Sequence, residues 1–112
     1  MIRTTHVDPA YVQMLRDEFG ELAVQLIDLL ETTTAEGLAE IDAAIAAGDD
    51  LELRRVAHRL KGGCQNLGAI TMASACLELE NGAADPAAAA AELREAVIPT
   101  IEELRALATQ QA

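Results

Sequence analysis

At 112 residues the chain is long enough to build one core without staples, so a single domain over residues 1–112 is expected. A composition that is 51% hydrophobic but only 2% aromatic requires a core of Leu, Ile, Val and Ala, which favours helices over a sheet. A formal net charge of −11 excludes a protein that grips a nucleic-acid backbone, because that task needs a basic field.

The opening Met1-Ile2-Arg3-Thr4-Thr5-His6-Val7 lacks the apolar stretch of a signal peptide, and no apolar run approaches membrane-spanning length. A soluble, cytoplasmic protein is therefore expected, with His6 an incidental residue in a disordered lead. Asp8-Pro9 then predicts a helix start, Asp8 as N-cap and Pro9 at the first helical position, with Val12, Leu15 and Phe19 inward and Gly20 as the interruption. From Glu21 the series Leu22, Leu26, Leu30, Thr33, Ile41, Ile45 predicts one long helix as far as Gly48, roughly 40 Å at the usual rise. Gly37 is its weak point. The outer residues Glu21, Asp28, Glu31, Glu36, Glu40 and Asp42 predict a solvated acidic face, not a metal site.

Asp49 and Glu52 stand at capping-box spacing and open a third helix that should end near Gly68. A fourth starts near Thr71, turns Met72, Ala75, Cys76, Leu79 and Ala83 inward, and should fray at Asn81-Gly82. Asp85-Pro86 repeats the cap-and-proline signature, and the helix-favouring run Ala87 to Ala91 leads into core positions Leu93, Val97, Ile101, Leu104 and Leu107 or Ala108. Pro99 predicts a kink, or a break near Ile98, and residues 109–112 should fray. Four substantial helices with short connections read as an all-α, antiparallel up-down four-helix bundle with a short extra N-terminal helix. Cys64 and Cys76 fall on inner faces as small hydrophobes, to be bridged only if their helices align them.

The third helix carries the chemistry. At about 100° per residue, Leu53, Val56, Leu60, Cys64 and Leu67 form one apolar stripe, which must be buried. His58 lies opposite, in solvent, with Lys61, Gly62 and Gln65 following at i+3, i+4 and i+7 and Arg54 and Arg55 in the preceding turn. Each glycine of Gly62-Gly63 costs about 1 kcal/mol relative to alanine inside a helix, yet the stripe continues through Cys64 and Leu67. A glycine pair beside an exposed imidazole makes sense where another molecule's surface must come close. Of the eight Lys and Arg residues, four (Arg54, Arg55, Arg59, Lys61) surround His58, a local positive patch suited to an acidic partner or a phosphoryl group. His58 and Cys64 face opposite ways and could not ligate one ion, so no metal is expected here.

His58-x-x-Lys61-Gly62, then Leu67-Gly68-Ala69 and Cys76-x-x-Leu79-Glu80, resembles the histidine-containing phosphotransfer family. Where the family usually has a serine or alanine after the first glycine, this chain has Gly63 and Cys64, a variation more like the phosphorylated N-terminal domain of chemotaxis-type histidine kinases. The resemblance implies that His58 accepts a phosphoryl group from the phosphoaspartate of a response-regulator receiver domain, or from a sensor histidine kinase of hybrid or chemotaxis-like type, and passes it to another receiver. Mg²⁺ would come with the receiver, and no cofactor is expected on this chain.

The chemistry agrees with that implication on its own terms. A neutral imidazole is a competent nucleophile near neutral pH. Lys61 is placed to pair with phosphoryl oxygens, and Gln65 is a further possible donor. Arg54, Arg55, Arg59, Gly62 and Gly63 form the expected docking rim. With no Gly-x-x-x-x-Gly-Lys loop and no Mg²⁺-holding acidic cluster, the chain is expected to be a phosphoryl carrier without kinase activity of its own. A chain that starts at Met1 without a kinase core is expected to be free-standing, and a monomer. The rival reading is a non-catalytic helical module that binds and sequesters a receiver or other acidic partner through the same face.

Overall fold

The structure, a computed structural model, describes residues 3–110. Among these residues there are five helices and no strand: α1 (Pro9–Phe19), α2 (Leu22–Ala47), α3 (Asp50–Asn66), α4 (Ile70–Glu80) and α5 (Pro86–Thr109). The all-α class read from composition holds. None of the described helices is long and apolar enough to cross a membrane.

Local chemistry sets the boundaries. Asp8 accepts from the Ala10 and Tyr11 amides, Asp49 from Glu52, and Asp85 from Ala88, so each helix that follows an aspartate begins with its free N–H groups satisfied. Only half of the expected capping box forms at Asp49, because the Glu52 carboxylate turns instead to Arg55. Gly48 closes α2 at φ 65°, the left-handed conformation that costs a side-chain-bearing residue most. The predicted break near Ile98 does not occur: α5 runs unbroken through Pro99 to Thr109, with Ile98 and the missing donor's turn at the surface. Gln110 is extended, and the fraying expected at Gln111 and Ala112 lies outside the described residues.

Packing joins α2 to α3, α3 to α4, α4 to α5 and α5 back to α2, while α1 lies across α2 and α5. Cross-helix contacts show that neighbours run in opposite directions. Glu40 meets Arg59 and Gly37 meets Leu60 on α2 and α3, whereas Asp42 meets Arg94 and Asp28 meets Arg105 on α2 and α5. The core is aliphatic, with Ile27, Ile41, Val56, Met72, Leu79, Leu93 and Leu104 among its fully buried members.

Three expectations need correction. The buried stripe of α2 is Ala23, Ile27, Leu30, Thr34, Leu38, Ile41 and Ala44: Leu30 and Ile41 are buried as predicted, Leu26, Thr33 and Ile45 are half-buried beside the stripe, and Leu22 is exposed. The helix is apolar over two adjacent stripes, and the one with smaller residues lets α3 and α5 approach. Phe19 is 44% exposed because α1 ends there and the chain turns back at Gly20. The N-terminal lead is not disordered where it is described. The Thr5 and His6 amides donate to Glu103, His6 Nδ1 pairs with the Thr71 hydroxyl at 2.9 Å, Val7 is buried, and the Asp8 amide donates to the Gly68 carbonyl.

The acidic face of α2 is solvent-exposed as expected, and four of its members form surface ion pairs: Asp28 and Glu31 with Arg105, Asp42 with Arg94 and Glu40 with Arg59. Cys64 and Cys76 are free and fully buried. Their helices do bring them together: the hydrogen bond that the Cys76 thiol donates to Cys64, then burial, pushes that thiol well above its ordinary range, which leaves it an inert packing group.

Gly37 is not a weak point but a contact. A Cβ there would lie 2.6 Å from Leu60 Cδ1 and 2.9 Å from its Cγ, in a fully buried seam. Gly37→Ala should therefore destabilise the fold by about 1 kcal/mol in urea unfolding, since an overpacking cost of about 1–3 kcal/mol outweighs the roughly 1 kcal/mol gained in helix propensity. A more stable variant would mean that the seam has slack.

Candidate functional site

The site forms where the end of α4 crosses the middle of α3. Val56, Ala57, Leu60 and Cys64 are buried on α3, which fixes the helix's rotation and turns His58 outward, its side chain 72% exposed. On α4, Met72, Ala75, Cys76 and Leu79 are buried, so Glu80, the last residue of that helix, is left on the flank facing α3. Its carboxylate bridges two side chains. Oε2 pairs with His58 Nδ1, and Oε1 accepts from Lys61 Nζ at 2.5 Å.

This bridge sets the state of all three groups. The side chains of Lys61 and Glu80 are 17% and 20% exposed, so their pair is screened from bulk water far better than a surface salt bridge. The Lys61 hydrogen bond, and after it the bond to His58, holds the Glu80 carboxyl below its ordinary range despite partial burial. An ionised carboxylate can only accept, so Nδ1 must carry its proton and, in the neutral ring, Nε2 must carry the lone pair. Nε2 has no hydrogen-bond partner among the described residues, on a ring whose side chain is mostly exposed.

The remaining predicted residues take different places. Gly62 and Gly63 lie inside α3, as the unbroken apolar stripe required, and a Cβ on Gly62 would meet nothing within 4 Å. Gln65 is exposed, two turns along from His58, and its side chain makes no hydrogen bond among the described residues, while its carbonyl accepts from the Gly68 amide. The basic patch is mostly committed: Arg55 to Glu52, Arg59 to Glu40 and Lys61 to Glu80. Arg54 has no such partner among the described residues. On the other flank of α3, beside Gly63, an apolar cleft of about 310 Å³ opens between Leu26, Leu29 and Leu30 of α2, Leu60 of α3 and Leu67 just beyond its end, with Arg59 at its rim.

Sequence reasoning gave Glu80 no role. The available signal was its place one residue after the inward Leu79 at the end of an apolar helix, but the pairing depends on the relative height of α3 and α4, which spacing within either helix does not set.

A family model described as Hpt domain matches residues 10–110. Among solved structures, histidine-containing phosphotransfer protein B from Pseudomonas aeruginosa PAO1 is similar, with a TM-score of 0.86 and 27% sequence identity over 97% of this chain and 100% of that one. No curated protein matches.

The lowered pKa of Glu80 gives its contribution to stability a definite pH window. The contribution is complete above the ordinary carboxyl value of 4.5 and is lost as pH falls through the lower folded value. Wild type should therefore exceed Glu80→Gln in urea midpoint at neutral pH, and the two should converge below pH 4.5. A gap that persists in acid would assign the effect to packing instead of charge.

Proposed function

Since the chain belongs to the Hpt family, we propose that it is a phosphorelay carrier in which His58 takes a phosphoryl group from a receiver-domain phosphoaspartate, or from a kinase, and hands it to another receiver aspartate, on a four-helix bundle with a short leading helix. The observation that carries this reading is the His58–Glu80 pair, which supports Nε2 as the nucleophile and leaves it without a partner among the described residues, on a mostly exposed side chain.

The chemistry follows from that orientation. The Nε2 lone pair attacks phosphorus, the P–O bond to the donor aspartate breaks, and the aspartate leaves as a carboxylate. Because Nδ1 keeps its proton, positive charge develops on the ring as the P–N bond forms. The Glu80 carboxylate is already beside that proton, so it stabilises the developing imidazolium without reorganising. Return of the phosphoryl group to an aspartate runs through the same steps backwards. Lys61 holds Glu80 ionised and in place, and it remains close enough to the ring's turn of helix to meet phosphoryl oxygens. Nothing in this account requires the chain to bind nucleotide or metal; Mg²⁺ is brought by the receiver.

Docking uses the two sides of α3. Gly62 and Gly63 remove side-chain bulk beside the imidazole, and the apolar cleft next to Gly63 offers a partner contact area that would otherwise face water. Arg59 at the cleft's rim, and Arg55, supply charge to an acidic partner while their own carboxylates restrain them.

The decisive experiment incubates the purified chain with a phosphorylated receiver and Mg²⁺ and looks for acid-labile, base-stable label. Wild type should acquire it and His58→Gln should not. Receivers that bind the chain but never label it would sink the relay reading and leave the sequestering module in its place.

Gly62→Ala separates the two uses of a glycine. With open space around its Cβ it should raise stability by about 1 kcal/mol through helix propensity, yet slow transfer from the receiver several-fold. Equal transfer rates in the two proteins would remove Gly62 from the docking surface.

A further inference from the structure

We infer that Arg54, on the basis of the relay function proposed above, is the second cation of the phosphoryl site: it closes on the oxygens of the group carried by His58, rather than serving only as part of the docking rim.

Charge demands such a residue. A phosphoryl group brings close to two negative charges. Lys61 is the nearest obvious cation, but its ammonium is already matched by Glu80 at 2.5 Å in a poorly exposed seam. Adding the phosphoryl group to His58 would therefore place it beside a pair with no net charge. Arg55 and Arg59 are held by Glu52 and Glu40, the second of these across on α2. Arg54 alone of the four basic residues around His58 has neither an ion pair nor a hydrogen bond among the described residues.

Its position fits the role. Arg54 precedes His58 by four residues, so the two side chains leave the same face of α3 with Cβ atoms about 5–6 Å apart. Side chains on a helix lean toward its N-terminus, which carries the imidazole over the turn that Arg54 occupies. Across the seam, Arg54 lies against Gly82, two residues beyond Glu80. A Cβ on Gly82 would come 2.6 Å from Arg54 Nη2 and 3.3 Å from Cζ, and Gly82 itself sits at φ 82°. The missing side chain at residue 82 is what lets the guanidinium lie against the chain two residues beyond Glu80, the residue that pairs with the imidazole. There it is exposed and unpaired, with five donors available for a tetrahedral oxyanion.

The test needs no receiver, which separates phosphoryl binding from docking. The full chain is treated with phosphoramidate, whose P–N bond breaks with loss of ammonia as the new P–N bond forms at His58, and the product's phosphoryl protonation is followed by ³¹P NMR. A cation on the oxygens favours their deprotonated form. Arg54→Gln should therefore raise the proton affinity of the phosphoryl group roughly three- to tenfold, an exposed-site share of what a close opposite charge can do. Arg54→Lys should restore most of the difference, and Arg94→Gln, on α5 and paired with Asp42, should leave wild-type behaviour unchanged. Identical titrations for wild type and Arg54→Gln would overturn the inference. So would a pattern in which Arg54→Gln slows transfer from a receiver but leaves the titration untouched, because that describes a docking residue. Failure of wild type to gain a phosphoryl group on His58 from either phosphoramidate or a receiver is a different result: it removes the relay reading itself.

Discussion

The site depends on one carboxylate being in two places at once. Glu80 holds a buried-side lysine with one oxygen and an exposed imidazole with the other, and both contacts require α3 and α4 to stand at one relative height. That height is set by the core, not by the polar groups. Val56, Leu60 and Cys64 on α3 and Met72, Cys76 and Leu79 on α4 are essentially without solvent contact, and shifting either helix by a residue would bring polar side chains into the packed interior. The aliphatic interior thus acts as a ruler for the chemistry at the surface. This explains how a solvent-exposed histidine can still be held by one nitrogen and leave the other unpaired among the described residues.

Glycine has opposite duties at different points of the same fold. At residue 37 it admits Leu60 and tightens α2 against α3; at residue 62 it leaves open space on the surface of α3, and at residue 63 a Cβ would only touch Leu30; at residue 82 it makes room for Arg54. Helix propensity is sacrificed at the first three of these positions, all within helices, for a gain that lies between elements or between molecules. The pattern is why the two mid-helix glycines of α3 do not end it: the cap chemistry is found further on, where Gly68 turns at φ 70° under Tyr11.

Much of this was legible in the sequence, and the limits have physical causes. Aspartate caps and the Asp-Pro pairs marked helix starts because they act within three residues. The stripe of α3 identified the exposed histidine because a helix with one narrow apolar face can rotate only one way. The same logic misplaced part of the stripe of α2, which has two apolar faces and is rotated by its neighbours, and it put Phe19 inside because periodicity cannot see that α1 is too short to be covered there. Glu80, the pairing of the arginines and the tethered His6 all involve contacts between distant parts of the chain. Pro99 predicted a kink in α5 or a break near Ile98, and the helix runs unbroken through that turn, where the lost hydrogen bond lies at the surface.

The tethered lead has a kinetic side. Thr5 and His6 reach Glu103 across 98 and 97 residues, whereas His58 and Glu80 are separated by 22. By loop-closure entropy alone the longer connection costs about 1.3 kcal/mol more to make, and it is held by a few hydrogen bonds and Val7. The lead is thus suited to be the first part of the fold to let go, and α3 with α4 the last. Release of the chain's beginning can therefore come and go as a local fluctuation while the imidazole and its carboxylate stay assembled.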